Sequence, residues 1–214
     1  MIEYIWRVNN LDVFYSNETN GGGDYFAIEY IDYVRQNYGE VDHILEWCSG
    51  PGFIGFGMLG EGLCNRLSLN EMYFPAVEMM YKTRQHADNP ECISIYHGDT
   101  LDNISNKEQY DLVVGNPPHW HSIESAQQCF PFDIKTTYHV PEILIDFDWK
   151  AHKDFYRSIK QLLKPNGKII LQENMHGSNA SVFEPMINES GLEISRIERS
   201  NMYEMIYYIE VIHK

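Results

Sequence analysis

A chain of 214 residues with 43% hydrophobic and 22% charged side chains carries enough apolar material for one folded domain with a sizeable core, which excludes a disordered tail or linker. Sixteen Lys and Arg stand against 31 Asp and Glu, a net charge of −15, and acids are interleaved with the closest cation grouping, Lys150, Lys153, Arg157 and Lys160; such a surface repels phosphate backbones and disfavours nucleic acid as a partner. No apolar run reaches the roughly 18 residues that span a bilayer, residues 1–7 lack a basic stretch followed by an apolar one, and Cys48, Cys64, Cys92 and Cys129 form no C-x-x-C pair, so the expectation is a cytoplasmic protein with reduced thiols and no membrane contact.

In chain order, residues 1–40 read as an N-terminal cap holding a helix at 25–38, with Gly21-Gly22-Gly23 as a mobile loop before it. A branched apolar run at 41–47 predicts the first strand, followed by a glycine-rich turn and a helix at 54–59. Strand 67–71, helix 74–87 and strand 93–97 come next, then strand 111–114, which stops at Asn116-Pro117-Pro118. Residues 119–148 show no clear period; a stretch that long is unusual unless it serves function, and it is read as a substrate-side insertion. A helix at 149–163, the turn signal Pro165-Asn166-Gly167 and a strand at 168–172 follow. The runs 192–199 and 205–212 lie close together and predict an antiparallel hairpin. Strands alternating with helices mean βαβ units: an α/β domain over 1–214, with a mostly parallel seven-stranded sheet, helices on both faces and the hairpin at one edge.

The segment Glu46-Trp47-Cys48-Ser49-Gly50-Pro51-Gly52-Phe53-Ile54-Gly55 leaves a strand and opens a helix. Its glycines allow a tight turn and close approach to a ligand, and the helix start offers unpaired amides. Alone it suits any nucleotide-type cofactor, or a tight turn with no ligand. Glu71 ends the second strand, where a carboxylate can accept from ribose hydroxyls, and Asp99 lies just past the third, placed to accept from an adenine amine. Both converge on the carboxyl edge of the sheet, where such folds bind ligands.

These residues resemble the class I S-adenosylmethionine-dependent methyltransferases, whose first motif reads acidic-x-x-x-Gly-x-Gly and is matched by Glu46, Gly50 and Gly52. The resemblance runs over roughly residues 40 to 212 and implies a Rossmann-like fold binding S-adenosyl-L-methionine. It implies Glu46 near the methionine amine, Gly50 and Gly52 against the cofactor, Glu71 on the ribose and Asp99 at the adenine. Cys48, Phe53, Met72, Thr100 and Asn116 complete the expected cofactor set. A dehydrogenase of the same architecture is the competing reading, and Pro51 sits awkwardly within its glycine fingerprint.

Asp111-Leu112-Val113-Val114-Gly115-Asn116-Pro117-Pro118 is the sharpest motif. Either two prolines merely stop a strand, or they stiffen the backbone so that the Asn116 side-chain oxygen and the Pro117 carbonyl aim at one planar NH2 group. The motif resembles the N-P-P-aromatic signature of amino-methyltransferases, among them adenine, cytosine and ribosomal guanine enzymes and the release-factor glutamine methyltransferases. The fourth place holds His119, with Trp120 after it. His119 would stack on or hydrogen-bond to the acceptor, or act as a base for the product proton. Asn116, Pro117, Pro118 and His119 are therefore the catalytic candidates, and Trp120, His121 and Tyr25 the acceptor-binding ones.

The glutamine enzymes carry a helical domain before their core, whereas here only about 40 residues precede the first strand, so recognition is expected from residues 6–23 and 119–148. The run Asp146-Phe147-Asp148-Trp149 either caps a helix or holds a cationic amine. His119, His121, His139, His152 and Cys129 match no closed zinc spacing, so no metal is expected. The functional expectation is an N-methyltransferase acting on an amide, amine or heterocyclic nitrogen of a protein or small molecule. A nucleic-acid base methyltransferase is the alternative, and a non-catalytic cofactor-binding partner subunit the second.

Overall fold

The computed structural model describes residues 2–20, 23–130 and 143–214. The chain opens on a hairpin, β1 (Glu3–Val8) and β2 (Leu11–Ser16), closed through Asn9 at φ 50°, a left-handed conformation that Asn tolerates. Helix α1 (Gly23–Asn37) leads into β3 (Val41–Trp47), α2 (Phe53–Gly60), β4 (Cys64–Glu71), α3 (Phe74–His86), β5 (Ile93–His97) and β6 (Tyr110–Gly115). After the short α4 (Ile123–Gln127) come α5 (Lys150–Ile159), β7 (Leu163–Asn174), α6 (Ala180–Glu189), β8 (Leu192–Arg199) and β9 (Ile206–His213).

β3 to β9 form one seven-stranded sheet in the order β5-β4-β3-β6-β7-β9-β8. The first five pair in parallel, and β9 runs antiparallel to both β7 and β8. The mostly parallel sheet with its antiparallel hairpin is thus the one expected from the sequence. Chain direction across the sheet reverses between β3 and β6, so the crevice at their carboxyl ends is where a ligand meets several loops.

Period-two alternation divides the core between the two faces. Ile44, Leu112, Val114 and Ile170 point to the side covered by α1, α2 and α3, with Tyr30, Phe56 and Met80 among their neighbours. Leu45, Val113, Ile169 and Leu171 point to the other side, under Phe155, Tyr156 and Ile159 of α5 and Phe183 and Ile187 of α6. A strand buried on both faces reads as a continuous apolar run, which is why β3 and β6 were legible.

Several bounds differ from the sequence reading. β7 begins at Leu163, so Pro165-Asn166-Gly167 lies inside the strand, beside a register irregularity opposite Tyr110 and Leu112, rather than forming a turn before it. The helix expected at 149–163 ends at Ile159 and tightens into a 3-10 turn at Lys160–Leu162. Helix α6 and the hairpin β1–β2 were not anticipated. Pro185 falls within α6 and reads as a breaker, while β1 is largely exposed and lacks an alternating apolar face. Of the glycine run, Gly21 and Gly22 lie outside the described residues, as do Phe132, Tyr138 and His139 of the 119–148 segment.

Candidate active site

The site begins with the loop between β3 and α2. Cys48, Gly50 and Gly52 all adopt left-handed backbone, at φ 52°, 52° and 88°. Gly52 admits no side chain: a Cβ there would lie 2.5 Å from the Phe56 ring. The turn is closed by Gly52 N–H donating to the Ser49 carbonyl at 2.8 Å.

Two strand-end carboxylates hold this loop. Glu46 accepts from Gly55 N–H at 2.8 Å in the first turn of α2. Burial pushes its carboxyl up, to about 8, against the lowering effect of the Gly55 and Ile54 amides. Glu71 accepts from Gly50 N–H at 2.7 Å on one oxygen and from the amides of Met72 and Tyr73, at 2.8 and 2.7 Å, on the other. Its carboxyl is also raised by burial, against those same bonds. Both acids therefore shape the loop as well as face the cavity.

β6 approaches β3 closely because Gly115 has no side chain; a Cβ there would meet the Trp47 carbonyl at 2.6 Å. Gly115 N–H donates to the Tyr30 hydroxyl at 3.2 Å, and that hydroxyl donates to the Ile170 carbonyl, pinning α1 across β6 and β7. Asn116 follows directly. Its side-chain oxygen is buried and has no hydrogen-bond partner among the described residues.

Two adjoining lobes open around these groups. The first, about 280 Å³, is walled by Glu46, Cys48, Gly50, Phe53, Glu71, Met72, Asn116 and Pro118 from the expected set, together with Thr19, Phe26, Ala27 and Tyr73. The second, about 290 Å³, shares Cys48, Glu71, Met72 and Pro118 and adds Asp99, Asp146, Phe147 and Lys150. Sequence reasoning missed Phe26 and Ala27, which reach the site only through tertiary packing, whereas Thr19 lies within residues 6–23, where recognition was expected. It missed Asn70 too, whose buried side-chain amide lies 3.3 Å from the Thr100 carbonyl and braces the loop carrying Asp99.

Other candidates, apart from Asp146 of the second lobe, stand outside these walls. The Thr100 hydroxyl donates to Asp102 at 3.1 Å. Tyr25 is 70% exposed on α1, whereas its neighbours Phe26 and Ala27 face the first lobe. Pro117 is buried behind the motif, and Trp120 packs with Ala126 and Ile145 in a small separate cluster. The His121 carbonyl accepts from Asp148 N–H at 3.1 Å. His119 directs Nδ1 at Glu173 and Ser178, each 3.3 Å away. Asp146 is a helix cap: its carboxylate accepts from the amides of Ala151 and His152 at 2.8 and 3.0 Å. Among the described residues no three His, Cys, Asp or Glu side chains form a set that could hold a metal ion, and no helix is long and apolar enough to cross a membrane.

The arrangement fits an S-adenosyl cofactor: a glycine cradle on a helix start, two buried strand-end carboxylates, and beside them an acceptor unpaired among the described residues. The profile of the methyltransferase small domain family matches residues 9–130. A bifunctional methyltransferase of Rickettsia felis is 27% identical over 136 residues, covering 62% of this chain and 25% of that protein. A release factor glutamine methyltransferase of Clostridium acetobutylicum is 29% identical over 153 residues, covering 67% of this chain and 48% of that protein. The chain thus spans about a quarter to a half of the length of the curated relatives it matches. Among solved structures, a TehB-like SAM-dependent methyltransferase from Corynebacterium glutamicum superposes with a TM-score of 0.59 at 14% identity over 90% of each chain, a likeness of fold. Sheet order, glycine cradle and matched profile agree, and the chain belongs to the methyltransferase small domain family of class I S-adenosylmethionine-dependent methyltransferases.

Proposed function

We propose that this chain transfers the methyl group of S-adenosylmethionine to a planar NH2 nitrogen, of an amide, amine or heterocycle, on a protein side chain or a small molecule. The observation that carries the reading is the Asn116 side-chain oxygen, buried in the wall of the first lobe with no hydrogen-bond partner among the described residues. Leaving a buried acceptor unpaired costs about 1–3 kcal/mol, a cost that an N–H donor on the substrate removes. When bound, the cofactor supplies an electrophilic methyl carbon, so no covalent enzyme intermediate is required. Asn116 would then orient the acceptor nitrogen, with Pro117 and Pro118 holding the backbone still, which is catalysis by positioning and preorganisation. Glu46 would hold the cofactor's ammonium and Glu71 its ribose, each already anchored by backbone amides.

Two further facts favour a protein or small-molecule acceptor. One matched relative is named a release factor glutamine methyltransferase, an enzyme of an amide nitrogen. The net charge of −15 opposes a nucleic-acid surface. The test is transfer of labelled methyl groups into a lysate separated into protein, nucleic acid and small molecules. Label in protein or small molecules is the expected result. Label confined to RNA or DNA would transfer the reading to a base amine, and no label in any fraction would favour a non-catalytic cofactor-binding subunit.

A further inference from the structure

Behind the acceptor motif lies a file of ionisable side chains that neither lobe explains. Asp146 Oδ2 is 2.7 Å from His152 Nδ1, His152 Nε2 is 3.2 Å from Glu173 Oε1, and Glu173 Oε2 is 3.3 Å from His119 Nδ1. The His152 and Glu173 side chains are wholly shielded from solvent, and 12% of the His119 side chain remains accessible. His152 has a carboxylate at each ring nitrogen, so both nitrogens donate and the ring is cationic. Burial opposes that charge, but the hydrogen bonds to Asp146 and Glu173 override it and raise the imidazole to about 9. Burial likewise pushes the Glu173 carboxyl up, and the hydrogen bonds from His119 and His152 hold it below its ordinary value instead.

An ionised Glu173 can only accept, so the proton of a neutral His119 must sit on Nδ1. Ser178 acts in the same direction. Its hydroxyl lies 3.3 Å from the same nitrogen and accepts from it when its own hydrogen goes to the Asn174 carbonyl, 3.4 Å away. Glu173 and Ser178 thus both face Nδ1, and Nε2 has no hydrogen-bond partner among the described residues. The ring itself lines neither lobe, but it stands one residue after Pro118, which lines both. Well-packed apolar side chains often fill such a space at equal or lower cost than a buried charged file.

We propose that Glu173 is a positioning residue that fixes His119 as the Nδ1–H tautomer, so that Nε2 takes the proton shed by the methylated nitrogen. This deepens the N-methylation reading and rests on it. In the step, the acceptor nitrogen forms a bond to the methyl carbon as the carbon–sulfur bond breaks, with its electron pair left on sulfur. The N–H proton passes to His119 Nε2, the imidazolium is balanced by Glu173, and loss of the proton to water resets the ring. His152 and Asp146 keep Glu173 ionised and oriented throughout.

The test is long-range ¹H–¹⁵N NMR on the full chain with ¹⁵N-labelled histidine, read over a pH series at the end where the His119 ring is neutral. In the wild type the expected His119 signals are a protonated Nδ1 and a bare Nε2. In Glu173→Gln the amide oxygen stays with His152 and its NH2 group faces His119, so the tautomer flips to Nε2–H. A wild-type ring already protonated on Nε2, or a tautomer unmoved in the variant, would overturn the positioning role, and the wild-type spectrum decides even if the variant does not fold. A second arm uses the lysate fraction that accepts label. His119→Phe keeps an aromatic ring at this place, and turnover should fall about 10²-fold with cofactor affinity retained. Full turnover in that variant would overturn the proton transfer. The NMR arm needs no acceptor, so its failure leaves the N-methylation reading standing, whereas failed label transfer strikes that reading first.

Discussion

Glu46 lies fully buried at the end of β3 with its carboxyl raised to about 8, although it borders the cavity where a cationic amine is expected. The unfolded chain releases this proton near 4.5 and the native chain holds it to about 8, so the stability owed to this group falls as pH rises across that window. A bound ammonium favours the carboxylate, so binding of S-adenosylhomocysteine at pH 7 should expel a proton. Calorimetry in buffers of different ionisation enthalpy reads this directly, and Glu46→Gln should abolish the proton release while weakening binding. At Asn116 the expectation is opposite in kind. Asn116→Ala should lower turnover by about 10²–10³-fold and leave cofactor affinity within about twofold, because the lost contact is to the acceptor. Glu46, Glu71 and Asn116 were legible because each ends a strand whose apolar run can be counted. Glu173 ends a parallel strand as well, but the turn signal Pro165-Asn166-Gly167 drew attention to the other end of β7. Its partners His119 and His152 are distant in sequence, so nothing local announced the file.

The elements that carry the site are stabilised unevenly, which makes their failures separable. In the β3–α2 loop, Gly52→Ala forces a side chain into left-handed backbone and against Phe56, a cost of about 1–3 kcal/mol. The thermal midpoint should drop and cofactor affinity with it, since the same loop walls the first lobe. In α5, His152→Ala removes the cation between two buried carboxylates and should cost about 3–5 kcal/mol. The sign of the pH effect follows from a raised imidazole: the pairing energy is complete below about 6.5 and is lost as pH rises through about 9. Denaturant titrations at pH 6 and pH 10 should therefore differ more in wild type than in His152→Ala. Element type was readable wherever the apolar signal was strong, as in the continuous runs of β3 and β6 and the amphipathic α5. It failed where packing overrode local chemistry: α6 tolerates Pro185 because Phe183 and Ile187 are buried beneath it, and β2 is held by Phe14 N–H donating to Thr83 at 2.9 Å.

At the scale of the whole molecule, the sheet order brings the carboxyl ends of β3, β4 and β6 to one crevice, and both lobes open there. That convergence was foreseeable, because alternating strands and helices leave few topologies and parallel crossovers are right-handed. The roof of the site was not foreseeable. Phe26 and Ala27 arrive on α1, carried by a pin between Tyr30, Gly115 and Ile170 that no local pattern reveals. Both carboxylates nearest the glycine cradle are bonded to backbone amides.

The central claim is that this crevice binds the methyl donor. Titrating S-adenosylhomocysteine into the intact wild-type chain by calorimetry tests it most directly. Saturable one-site binding is the predicted result, and the absence of any measurable uptake would contradict the account.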